Sequence, residues 1–95
     1  MASEQTERMV RLLAYVARNK ATITYGEFAG IVGGMIARGA GQKLTKELAP
    51  HCREQGLPPL WALVVNAGTG QSSDPEVTPA DLAHCYSFKW KAPQD

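Results

Sequence analysis

The sequence predicts an α+β, mainly helical fold: a small winged helix-turn-helix domain with three to four helices and a short strand pair. Three observations predict it. Apolar residues recur at spacings of three and four from Met9 to Ala17, helix-start patterns stand at Thr24 and Thr78, and an apolar run, Leu60 to Val65, follows two prolines. The 95 residues, 44% of them hydrophobic and 20% charged, suffice for one core and one domain over 1–95.

The first helix is expected over Thr6 to Asn19, with Met9, Leu12, Leu13, Val16 and Ala17 on one face and Arg8, Arg11 and Arg18 on or near the other. Ala21-Thr22-Ile23 then forms a short extended link. Thr24 followed by Glu27 is a capping-box pattern, in which the hydroxyl accepts from the Glu27 amide and the carboxylate reaches back to the Thr24 amide. The helix it starts buries Phe28, Ile31 and Val32 and ends at Gly33-Gly34, because glycine readily adopts the positive φ that terminates helices.

The next helix carries Ile36, Ala40, Leu44 and Leu48 toward the core and leaves Arg38, Gln42, Lys43 and Lys46 largely outward. Gly39 and Gly41 each cost it on the order of 1 kcal/mol relative to alanine. Close approach to another helix, close approach to a phosphate backbone, or a poorly formed first turn would each account for them. Pro50 should kink or stop this helix, with a further turn over His51 to Gln55 closed by Gly56. Pro58-Pro59 leads into a strand over Leu60 to Val65, and Ala67 to Pro75 reads as a loop, hairpin tip or wing. Thr78-Pro79-Ala80-Asp81 starts a short helix that passes into Cys85 to Trp90, where Tyr86, Phe88 and Trp90 alternate as in a strand.

A net charge of +1 excludes a strongly basic histone-like binder and an acidic mimic of nucleic acid. The charges are unevenly spread: residues 35–53 hold Arg38, Lys43, Lys46 and Arg53 against Glu47 alone. Beyond Asn66, Asp74, Glu76, Asp81 and Asp95 outweigh Lys89 and Lys91, so one basic surface and one acidic region are expected. No apolar run reaches membrane-spanning length, MASEQTER lacks the hydrophobic stretch of a signal peptide, and two cysteines make no disulfide framework. A cytoplasmic, reduced protein is the expectation.

Three constellations were weighed for chemistry. His51-Cys52 and His84-Cys85 offer nitrogen and sulfur donors, but neighbours on a helix diverge by about 100° and cannot both turn to one ion. No third orienting group or oxyanion loop supports a cysteine nucleophile, so buried, unreactive thiols are expected. Asp74, Glu76 and Asp81 match neither a calcium loop nor paired acid catalysts and read as capping and solvated residues. AGTGQSS lacks the lysine and immediate helix of a phosphate loop. No catalytic residue, metal or cofactor is assigned.

Thr24-Tyr25-Gly26-Glu27 with Phe28-Ala29 is similar to the TYG-acidic-x-A segment of the C-terminal DNA-binding domain of alkylguanine-DNA alkyltransferases and alkyltransferase-like proteins. Ala37-Arg38, then Gly41 and Leu44, resembles that family's A-R-x-x-G-x-x-L recognition helix. The resemblance implies a helix in the minor groove, with an arginine entering the base stack where a nucleotide is flipped out. Trp61 to Asn66 falls on the reactive P-C-H-R-V-V-N segment, or on P-W-H-R-V-V-N of the alkyltransferase-like proteins. Val64-Val65-Asn66 match, but Trp61, Ala62 and Leu63 stand for the cysteine or tryptophan, the histidine and the arginine. Alkyl transfer therefore has no chemistry to run on. GLPPLWALVVNAGTG also looks like a motif of small uncharacterised bacterial and phage proteins.

The expected function is non-catalytic binding of duplex DNA through the helix around Arg38 to Lys46. Arg38, Gln42, Lys43 and Lys46 contact backbone or bases, Tyr25 helps to position the DNA, and Trp61 lines a pocket or fills the core. Three or four phosphate contacts imply a log–log salt slope of roughly −3 to −4. The alternative is a protein-interaction module, such as a phage or bacterial inhibitor or adaptor, on the same scaffold. Near-neutral charge favours it, as do Gly39 and Gly41 where they suit close helix packing. Neither reading needs a membrane or a small-molecule substrate. An exposed apolar patch would favour the protein partner, and a continuous basic groove would favour DNA.

Overall fold

The computed structural model describes residues 4–72, 74 and 76–90, with Ala37 described by its backbone. Helix α1, Glu4–Arg18, lays Thr6, Met9, Leu13, Val16 and Ala17 into the core. The chain turns at Lys20, with φ 51°, into strand β1, Ile23–Thr24. Helix α2, Tyr25–Val32, starts on the expected capping box: Glu27 N–H donates to Thr24 Oγ1 at 3.2 Å and Thr24 N–H donates to Glu27 Oε1 at 3.3 Å.

Gly33 and Gly34 end α2 at φ 80° and 74°, a region that favours glycine. Two α1 side chains hold this turn: Gln5 Nε2 donates to the Gly33 carbonyl at 2.9 Å, and Arg8 Nη1 donates to that of Val32 at 3.4 Å. A Cβ on Gly34 would lie 2.8 Å from Gln5 Nε2, so glycine also makes room for the strap that fixes the turn.

Beyond the turn, α3 (Ala37–Lys43), a π-helical turn (Leu44–Leu48) and α4 (Ala49–Gln55) follow one continuous helical path. Pro50 neither stops this helix nor ends it a residue earlier. In an α-helix its ring would clash with the Lys46 carbonyl. Here Ala49 N–H instead reaches back five residues to Leu44 O, and the wider turn takes up the proline. The same turn explains the apolar stripe. Four residues overshoot an α-helical turn by about 40°, so three such steps would rotate a four-residue stripe about 120° off the core. The π-turn cancels part of that drift, and Ala40, Leu44, Leu48 and Cys52 are all buried. Gly56, in the left-handed region, closes α4 as expected.

Leu60 to Val65 is a strand only at its end. Leu60–Leu63 form a 3-10 turn and Val64–Val65 form β2, which pairs parallel to β1 with Ile23 opposite Val64 and Thr24 opposite Val65. Three residues per turn put Leu60 and Leu63 on one face, and both are fully buried. No strand returns from the 66–71 loop among the described residues; Gly70 N–H bonds Asn66 O and Asn66 N–H bonds Gln71 O, so of the expected loop, hairpin tip or wing the segment is a closed loop.

Helix α5, Pro79–Ser87, starts with Thr78 N–H on Asp81 Oδ2 at 2.9 Å. It runs through the first half of the stretch expected as a strand, and beyond it the Phe88 and Trp90 rings meet at 4.5 Å, tilted by 55°. Tyr86 Oη donates to Ala21 O at 3.0 Å, tying α5 to the link before β1. Phe28, Met9, Leu13, Leu48, Leu60 and Leu63 are fully buried, each worth about 1.5–3 kcal/mol in removed apolar surface. Two expected core residues are outside it: Ile31 is 64% and Ile36 69% exposed. Lys91 and Asp95, counted in the charge reading, and Pro75, the end of the expected loop, lie outside the described residues.

Candidate nucleic-acid interface

The fixed turn between α2 and α3 sets the aim of the first basic helix. Arg38, Gln42 and Lys46, at intervals of four, are all exposed. They line one cleft of about 610 Å³ together with Tyr25 and Trp61, which are half-buried and packed on the core. Both aromatics therefore pack against the core and also present surface to the cleft. Gly41, Leu44 and Thr45 complete the α3 side, and Thr45 Oγ1 is occupied in donating to Gly41 O at 2.9 Å.

Lys43 is not brought to this cleft. It lies in a groove on the other flank of α3, beside Met35, Ile36 and Gly39, and forms an ion pair with Glu47 at 2.9 Å. Among the described residues the ion pairs are this one and Arg8–Glu4, both within one helical turn, so Arg38 and Lys46 keep their charge for other partners. Gly39 and Gly41 have nothing within 4 Å of where a Cβ would stand. Close helix packing inside the molecule is not what they serve.

Sequence reasoning missed the rest of the lining. Ser72, Asp74 and Glu76 come to the same cleft as Arg38 and Lys46, so the acidic region meets the basic helix instead of forming a separate surface. No local pattern announces this, because loop closure beyond Asn66 creates it. Asp74 Oδ1 accepts from Glu76 N–H at 2.9 Å and Asp74 N–H donates to Ser72 Oγ at 3.1 Å, which fixes the carboxylates' segment. A further residue not expected at the site is Arg53, whose guanidinium lies over the Trp61 ring at 5.6 Å.

The thiols stand apart from the cleft. Cys85 Sγ donates to Pro59 O at 3.3 Å, and the amide of the same peptide, Leu60 N–H, bonds Cys52. Burial pushes the Cys52 thiol up to about 11 and the Cys85 thiol up to about 12, so both are protonated, poor nucleophiles at neutral pH. Among the described residues no three His, Cys, Asp or Glu side chains are grouped to hold a metal, and no helix is long and apolar enough to cross a membrane.

Comparison adds no relative. No protein-family model, curated protein or solved structure matches this chain. The resemblance to alkyltransferase DNA-binding domains is therefore an expectation from short sequence motifs alone. Thr24 to Ala29, Arg38 and Trp61 come from three separate segments, and Tyr25, Arg38 and Trp61 share one cleft.

Proposed function

We propose that this protein binds duplex DNA without catalysis, through the exposed ridge of Arg38, Gln42 and Lys46 and the cleft beside it. The observation that carries the reading is the convergence of Tyr25, Arg38, Gln42, Lys46 and Trp61 on one cleft. Unpaired cations about two helical turns apart suit phosphates, an exposed glutamine between them suits base or sugar hydrogen bonds, and two aromatic surfaces suit a base out of its stack. Trp61, Ala62 and Leu63 supply no nucleophile and no base to activate one. The ion pair of Lys43 with Glu47 lowers the expected phosphate count to two, Arg38 and Lys46, and with it the salt slope to about −2. A titration of labelled duplex between 50 and 200 mM salt, scales on which such contacts are resolved, tests this. Arg38→Ala should weaken binding and flatten the slope by about 0.9. No duplex binding at low salt, or binding indifferent to Arg38→Ala, overturns the reading.

A protein-interaction module is the second reading, and one observation favours it. Ile31 and Ile36, both more than 60% exposed, flank the Gly33-Gly34 turn, beside a groove lined by Met35 and Ile36. Retention of duplex binding in an Ile31→Ser, Ile36→Ser variant separates the two readings: a DNA ridge tolerates that change, whereas a protein-docking face does not.

A further inference from the structure

We infer that Arg53 is a positioning residue for the cleft: its guanidinium, laid over the Trp61 indole, fixes the plane of the aromatic wall. Trp61 is only half-buried, so packing covers one part of the ring and leaves the rest to solvent and cleft. Among the described residues its indole N–H makes no hydrogen bond. Trp90 is different, since its Nε1 donates to Cys85 O at 2.9 Å. What else bears on the Trp61 ring is Arg53, 5.6 Å from the centroid, a distance at which the ring quadrupole attracts the cation.

Arg53 is free for this contact. It is exposed, and no carboxylate pairs with it among the described residues. Its place on α4 follows from the π-turn, which keeps Cys52 facing the core and so sets the next residue toward the Pro58–Trp61 segment. A planar guanidinium suits an indole face better than an ammonium does, because it stacks as well as attracts.

The inference rests on the DNA reading only where it is measured by affinity. Arg53→Gln should weaken duplex binding about two- to fivefold, the loss of an exposed cation–π contact, and leave the salt slope as in the parent protein. Arg53→Lys should recover part of the loss. In a Trp90→Phe background, acrylamide quenching of Trp61 fluorescence should rise in Arg53→Gln. If Trp90→Phe does not fold, the same rise is sought in the two-tryptophan protein. A slope flattened by about 0.9 would mean that Arg53 touches phosphate itself, and overturns the positioning role. Unchanged quenching overturns it as well. If the parent protein binds no duplex, the DNA reading falls and the quenching comparison alone decides the role of Arg53.

Discussion

Raising the pH should lower the stability of this protein through its two thiols, and the size of the effect can be worked out. Cys52 and Cys85 are fully buried, and burial raises them from 9.0 to about 11 and about 12. The unfolded chain then releases its thiol protons before the folded one does, so it binds fewer protons above pH 9 and stability falls as pH rises. At about pH 10 an unfolded thiol with the ordinary value gains about 1.4 kcal/mol from ionisation, while the folded thiols gain almost nothing. Two thiols give a loss of about 2.7 kcal/mol between about pH 8 and pH 10. The figure depends on the unfolded value and hardly at all on how far above 10 the folded values lie. The loss ends only once pH passes through the folded values. Urea denaturation at both pH values measures it, with the Cys52→Ala, Cys85→Ala variant as reference. That variant has a lower stability from the lost packing, but its pH dependence should be flatter by the stated amount. An equal fall in both proteins would refute the account and place the pH sensitivity in other groups.

Two further outcomes follow from the helix and the cleft. Pro50→Ala should raise stability by less than about 1 kcal/mol, because the π-turn already spares the clash that costs about 3 kcal/mol in an ordinary helix; a gain near the larger figure in urea denaturation would mean that the proline is strained. Asp74→Asn with Glu76→Gln should tighten non-specific duplex binding by up to about tenfold at low salt, and less at high salt, because two carboxylates near Arg38 and Lys46 repel phosphate. Weaker binding of that variant, measured by anisotropy, would mean instead that the carboxylates accept hydrogen bonds from the DNA.

Local chemistry was readable where a few neighbouring residues decide the outcome. Thr24 with Glu27, Thr78 with Asp81, and Gly33, Gly34 and Gly56 all act as their types and spacings predict. Periodicity was readable for α1 but failed at two isoleucines, because spacing identifies a stripe and not its edges. Ile31 and Ile36 sit at those edges, 64% and 69% exposed. At Leu60 the apolar run is ambiguous, because four consecutive apolar residues fit a buried 3-10 turn as well as a strand, and only Val64–Val65 are extended. At Pro50 two signals stood side by side. A proline that ought to break the helix and a stripe repeating at strictly four residues are together the mark of a π-turn, although each alone suggests something else. The cleft was half legible: Arg38, Gln42 and Lys46 share a face by spacing, whereas Tyr25, Trp61 and the carboxylates reach it through tertiary contacts.

Those carboxylates narrow what the cleft can hold. A phosphate entering it would meet Asp74 and Glu76 as well as Arg38 and Lys46, and in the confined space repulsion would offset most of the attraction. A phosphate on the solvent side of α3 meets the cations and stands farther from the carboxylates, where water and salt screen them. The ridge and the cleft therefore divide the work in the DNA reading: the backbone belongs on the ridge, and the cleft suits an uncharged planar group set against Tyr25 and Trp61. In the DNA reading the same division would let a chain of net charge +1 engage a polyanion, since two well-placed cations with their charge unspent matter more than the total. In that reading selectivity falls to Gln42 on the ridge and to Trp61 in the cleft, because phosphate contacts through Arg38 and Lys46 alone would hold any duplex equally well.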